Sequence, residues 1–196
     1  MKITFARYIS LILNPLAIAI FAPFVVVYRT TENFDITVKW TLYTLCFIFL
    51  LGCFVLVGVK KNKFTDIDVS KREQRPLVFL VVIVSASFYL LTLFLLKAPI
   101  ILSVLAISII VGIAFAYVIN RRIKASMHVA SVTAFTIPVA LSLQNSYVFL
   151  LLLIPLVSWA RLVTKRHTLP EVITGGVVGA TLSLAIYLGV KAFIDY

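Results

Sequence analysis

The sequence predicts an all-α fold: a polytopic bundle of six or seven transmembrane helices forming a single domain over residues 1–196. Three observations lead there. Of 196 residues 62% are hydrophobic and 13% charged, with a mean hydropathy of +1.12; a soluble chain of this length has too little interior to hide so much apolar surface. Apolar runs close to the roughly 20 residues that cross a bilayer recur along the whole chain. The charged residues gather in the gaps between those runs.

The first run, 8–28, follows Lys2 and Arg7 as the core of a signal peptide would. It is too long for that role and has no obvious cleavage site, so it reads as the first span. The others are 40–59, 77–96, 98–118, 126–143, 146–161 and 170–193. A turn at Lys97–Pro99 separates the third from the fourth, and Gln144–Asn145 suits a tight hairpin between the fifth and sixth. Those two runs are short, so seven spans is the first reading and six the alternative. The only cysteines, Cys46 and Cys53, share one apolar run, form no CxxC pair and have no histidine nearby, which fits buried small hydrophobes rather than redox or metal chemistry.

A formal net charge of +11 would suggest nucleic acid in a soluble protein. Here no aromatic-interleaved basic pattern supports nucleic acid, and the charge fits cytoplasmic loops and anionic headgroups. With seven spans, one side of the membrane holds Lys2, Arg7, Lys60, Lys61, Lys63, Lys71, Arg72, Arg75, Arg121, Arg122, Lys124, Arg161, Lys165 and Arg166. The other holds Arg29, Lys39, Lys97 and Lys191. The positive-inside rule therefore expects a multi-pass cell-membrane protein with the N-terminus and the loops at 60–76, 119–125 and 161–169 in the cytoplasm.

Three polar breaks fall on that side. "KKNKFTDIDVSKREQRP" ends in Arg75–Pro76, "RRIKASMH" ends in Ser126 and His128, and "WARLVTKRHTLPEV" carries Arg161, His167 and Glu171. Arginines fork-bind phosphate oxygens, and two histidines can divide the work of nucleophile and general acid. His167 and Glu171 are four apart on a helix expected to begin near Pro170, so the carboxylate can hold the imidazole in one tautomer. Thr168 to Glu171 also has the spacing of a capping box. Charge clamps, an in-line nucleophile and a proton for the leaving oxygen are the equipment of phosphoryl transfer.

At this point the chain resembles the type 2 phosphatidic acid phosphatase (PAP2) and haloperoxidase superfamily of membrane lipid phosphatases, whose motifs are KxxxxxxRP, PSGH and SRxxxxxHxxxD. The third is matched by Ala160-Arg161, five residues, His167, three residues and Glu171. The second is matched by Ala125-Ser126-Met127-His128, and the first by Arg75-Pro76 with Asp68 at the lysine position. The resemblance covers about 68–179, including Gly175 and Gly179. It implies that His167 becomes a phosphohistidine, Glu171 orients it, and His128 protonates the leaving alkoxide. Arg75, Arg161 and Ser126 would hold the phosphate, with Lys71 standing in for the missing lysine if its segment is helical. It implies no metal and no organic cofactor. The implied substrate is a lipid phosphate drawn from the surrounding membrane lipids: phosphatidic acid, phosphatidylglycerophosphate, or a polyprenyl phosphate or diphosphate.

Two other readings stay open. "DIDVSKREQRPL" has the flavour of the aspartate-rich loop of a UbiA-type, Mg²⁺-dependent membrane prenyltransferase, with Asp66 and Asp68 as the metal pair. That family needs two such loops, and the second half of the chain holds only Glu171 and Asp195 as acids. The third reading is a degenerate, non-catalytic lipid-phosphate binder. The remaining cations of the breaks, Arg121, Arg122, Lys124, Lys165 and Arg166, read most simply as topology signals and headgroup anchors.

Overall fold

The computed structural model describes residues 1–142 and 148–194, and all its regular structure is helical. The expected hairpin at Gln144–Asn145 and the acid Asp195 lie outside the described residues. Helix α1 covers Lys2–Ile12, α2 Pro15–Thr31, α3 Phe34–Lys60, α4 Arg75–Leu95, α5 Ile100–Asn120, α6 Met127–Ser142, α7 Leu153–Val163 and α8 Leu169–Ile194. Short 3₁₀ turns precede α4 and α7, at Arg72–Gln74 and Val148–Leu152.

Among the described residues, α3, α5 and the stretch Arg72–Leu95 are long and apolar enough to cross a membrane. A fourth span results if the bent pair α1 and α2 counts as one. Shorter apolar helices are Met127–Leu141, Val148–Val163 and the described part of α8, Leu169–Leu184. Large apolar side chains point outward, with Phe94 80% and Ile100 78% exposed, while Arg75, Arg161, His128 and His167 are buried. That inversion is what a hydrocarbon solvent selects, since ionisable groups are costly on a lipid-facing surface.

The expected span 8–28 is broken where Asn14 and Pro15 sit. The Asn14 side chain donates to the Leu11 carbonyl (2.7 Å) and accepts from the Ala17 N–H (2.7 Å), closing one helix and capping the next. Pro15 takes the first helical position, where its missing N–H costs nothing. Conversely, α3 starts before the apolar run does. Asn33 caps it by accepting from Ile36 N–H (3.0 Å), which carries Asp35 and Lys39 into the helix.

The chain packs as two compact units. The middle unit, Ala19–Asn120, is built on an aromatic and aliphatic core of Val27, Trp40, Tyr89, Leu93, Leu102 and Ala106. Thr44 there donates to the Trp40 carbonyl and meets the Tyr89 hydroxyl at 2.7 Å. At the other end of α3 the 60–74 loop folds back: Phe64 lies against Gly58, where a side chain would collide with its ring, and Val69 joins Val55 and Phe64 in a small core.

The second unit, Met1–Ile18 with Arg121–Tyr196, carries the second and third polar breaks and is called the motif unit below. Its helices α6 and α8 pack closely because Gly175 and Gly179 face α6: a Cβ at Gly175 would strike the Ser126 backbone, and one at Gly179 the Ala130 carbonyl and Thr133. Small residues one turn apart let helix backbones approach inside a membrane. Helix α1 packs on α7 through Ala6, Ile9 and Ala160.

Candidate active site

The third polar break supplies the centre of the site. Helix α7 ends at Val163 in a Schellman-type reversal: Lys165 N–H returns to the Leu162 carbonyl (3.0 Å) and Arg166 N–H to the Arg161 carbonyl (3.1 Å). Lys165 occupies the left-handed position, φ 53°, where glycine is usual and another residue costs about 1–2 kcal/mol. The Arg161 carbonyl also accepts from His167 N–H (3.3 Å), which sets His167 directly ahead of α8.

His167 Nδ1 lies 2.8 Å from Glu171 Oε2, with the imidazole side chain 1% and the carboxylate 18% exposed. The same oxygen accepts the Thr168 N–H at 3.1 Å, so the capping-box contact and the imidazole contact coexist on one atom. Helix α8 begins at Leu169, one residue before the proline expected to open it.

The second break is tied to the third by backbone. Ser126 N–H donates to the Glu171 carbonyl (3.0 Å), an approach that Gly175 beneath it permits. Ser126 is fully buried, and its hydroxyl has no hydrogen-bond partner among the described residues. His128 follows on the first turn of α6, 5% exposed. Lys124 Nζ donates to the Arg166 carbonyl at 3.0 Å, a second tie between the same breaks.

Lys124, Leu162, Lys165, Arg166, His167, Thr168 and Glu171 line a cavity of about 360 Å³. That is near the lower end of ligand pockets, the size of a headgroup rather than of a whole lipid. Lys124, Lys165 and Arg166 therefore line the same cavity as Glu171, whose Oε2 is engaged by His167 and the Thr168 N–H. Lys124, Lys165 and Arg166 were expected from sequence to be topology signals; the fold makes them pocket walls. The signal that might have found them is their position beside the His167 motif, but only the reversal at Lys165 turns adjacency into a shared cavity.

The other expected residues are placed as follows. Arg161 is buried (3% exposed) in the motif unit, and its Nη1 donates to Ser10 Oγ on α1 at 3.2 Å, a partner outside every motif. His128, Ser126 and Arg161 belong to the motif unit but not to the cavity lining. Arg75 and Lys71 belong to the middle unit. Arg75 is buried and its Nε donates to the Val69 carbonyl (3.2 Å). Lys71 precedes the helical segment, with extended backbone (φ −76°, ψ 127°), so the one-turn spacing that would set it beside Arg75 does not apply. Asp66 serves the loop itself: its carboxylate accepts from Ser70 (3.0 Å) and Thr65 (3.4 Å) hydroxyls. Among the described residues no three His, Cys, Asp or Glu side chains form a group fit to hold a metal ion.

In comparisons with family models, curated proteins and solved structures, nothing matches this chain. The site's chemistry therefore rests on its own residues.

Proposed function

We propose that the chain is an integral-membrane lipid phosphatase of the type 2 phosphatidic acid phosphatase kind, acting on a lipid phosphomonoester or diphosphate without a metal. One observation carries this: a buried imidazole held at Nδ1 by a carboxylate, in a headgroup-sized cavity walled by three cations. With Nδ1 facing Glu171, Nε2 is the nitrogen that attacks phosphorus, and Glu171 stabilises the imidazolium that develops. The P–O bond to the lipid breaks as the P–N bond forms, and His128 gives its proton to the departing alkoxide. Water then cleaves the phosphohistidine and releases inorganic phosphate. Lys124, Lys165 and Arg166 join Arg161 as the cations that neutralise the phosphate, and Ser126 offers its hydroxyl as a hydrogen-bond donor.

In this reading α6, α7 and α8 complete a set of six or seven spans, and the site opens on the cytoplasmic face, as the concentration of basic residues in its loops implies. Impermeant thiol labelling of a cysteine introduced at Lys165 in intact cells tests the sidedness. Labelling only after permeabilisation is expected, and efficient labelling of intact cells would reverse the orientation.

The test of function is a panel of lipid phosphates assayed for released phosphate, with purified protein in detergent and EDTA present. Release is expected to persist in EDTA. Loss of activity in chelator with recovery on adding Mg²⁺ would favour the prenyltransferase reading, in which Asp66, now bonded within its own loop, would have to turn to the metal. No turnover on any member, with phosphate still bound, would leave a non-catalytic binder.

A further inference from the structure

The middle unit carries a second cavity, of about 310 Å³, at the end of α3 and α4 remote from the 60–74 loop. Lys39, Trp40, Leu42, Tyr43 and Cys46 line it from α3, and Leu96, just past α4, closes it. Leu42 and Leu96 are more than half exposed, and Cys46 is exposed as well, so the cavity is open along the outside of an apolar helix. Its floor is aromatic: Trp40 is buried, Tyr43 meets Trp40 edge-on, lies tilted against Phe47 and stacks on Tyr89, and Tyr89 is hydrogen-bonded to Thr44.

One cation stands at the rim. Lys39 Nζ lies 5.3 Å from the centre of the Trp40 ring, and among the described residues no carboxylate is ion-paired with it, Asp35 one turn earlier on α3 included. An ammonium beside a hydrocarbon-facing groove needs an anion at the same height. An ordered aromatic floor with a rim cation matches one acyl chain below one negatively charged headgroup.

We propose that this groove is a binding site for an anionic membrane phospholipid, its phosphate on Lys39 and one acyl chain along Trp40, Tyr43, Cys46 and Leu96. The site is separate from the cavity at His167 and does not depend on the reaction proposed there. Chain packing alone discriminates little, because the bilayer offers the same contacts everywhere. Preference for this lipid comes from Lys39, whose contribution near a membrane surface corresponds to about a fivefold enrichment.

Trp40 is its own reporter, since the only other tryptophan is Trp159. With Trp159→Phe (or Trp159→Tyr, should the first fold poorly), the full chain is reconstituted in phosphatidylcholine vesicles. Brominated phosphatidylglycerol or brominated phosphatidylcholine is then titrated in as a quencher. Half-maximal quenching of Trp40 is expected at about fivefold lower mole fraction of the anionic lipid. Lys39→Gln should remove the difference, and Lys97→Gln, a cation outside the lining, should preserve it. Equal quenching by the two lipids would overturn the site and leave Lys39 and Trp40 as interface anchors. So would an equal loss of preference in the two lysine variants, which would indicate bulk surface charge.

Discussion

His167→Ala is expected to release no phosphate from any lipid phosphate and to accumulate no phosphoprotein. The wild-type protein, quenched during turnover of a radiolabelled substrate, is expected to carry label that survives base and is lost in acid, as a phosphoramidate should. The expected fall is on the order of 10⁶-fold, the scale seen when a hydrolase loses its nucleophile. The other residues lining the cavity are Lys124, Leu162, Lys165, Arg166, Thr168 and Glu171, and none of them stands where the imidazole is held. Glu171→Gln is expected to be milder, because an amide oxygen still accepts the Thr168 N–H while the charge that supports the imidazolium is gone. Wild-type rates in His167→Ala would remove the mechanism.

His128→Ala should fall by about 10²–10⁴-fold on a lipid substrate, the usual contribution of a positioned proton donor to an alkoxide leaving group. Nitrophenyl phosphate, whose leaving group needs little protonation, should recover most of that loss in His128→Ala and none of it in His167→Ala. The double comparison separates roles that a single inactivation confuses. An equal deficit on both substrates would mean that buried His128 holds the first turn of α6 rather than donating a proton.

Hydropathy located the helices because length and apolarity are summed properties: the runs at 77–96 and 98–118 became α4 and α5 with shifts of one or two residues. It missed the 44° bend inside 8–28 because that bend is made by two side chains, Asn14 and Pro15, whose effect on a window average is small. It also read 146–161 as one run, where the described chain opens with a 3₁₀ turn before α7. The pairing of His167 with Glu171 was legible because i, i+4 spacing on a helix is short-range geometry. The cavity cations were not. Lys124 approaches the third break only because Ser126 packs over Gly175, and Arg166 only because Lys165 adopts a left-handed backbone. Ser10 was equally invisible, since its contact with Arg161 spans 151 positions in sequence.

The single oxygen Glu171 Oε2 joins the Thr168 amide to the His167 ring, and this gives the opening turn of α8 a second meaning. Helix ends are the parts of a fold that open most easily, at a free energy far below that of global unfolding. If that turn frays, the carboxylate loses its amide anchor and swings away, and the imidazole loses its fixed tautomer in the same event. In the phosphatase reading proposed above, His167 would then be held for attack only while that amide stays closed, and the population of a local opening, rather than the stability of the whole bundle, would set the fraction of molecules ready to react.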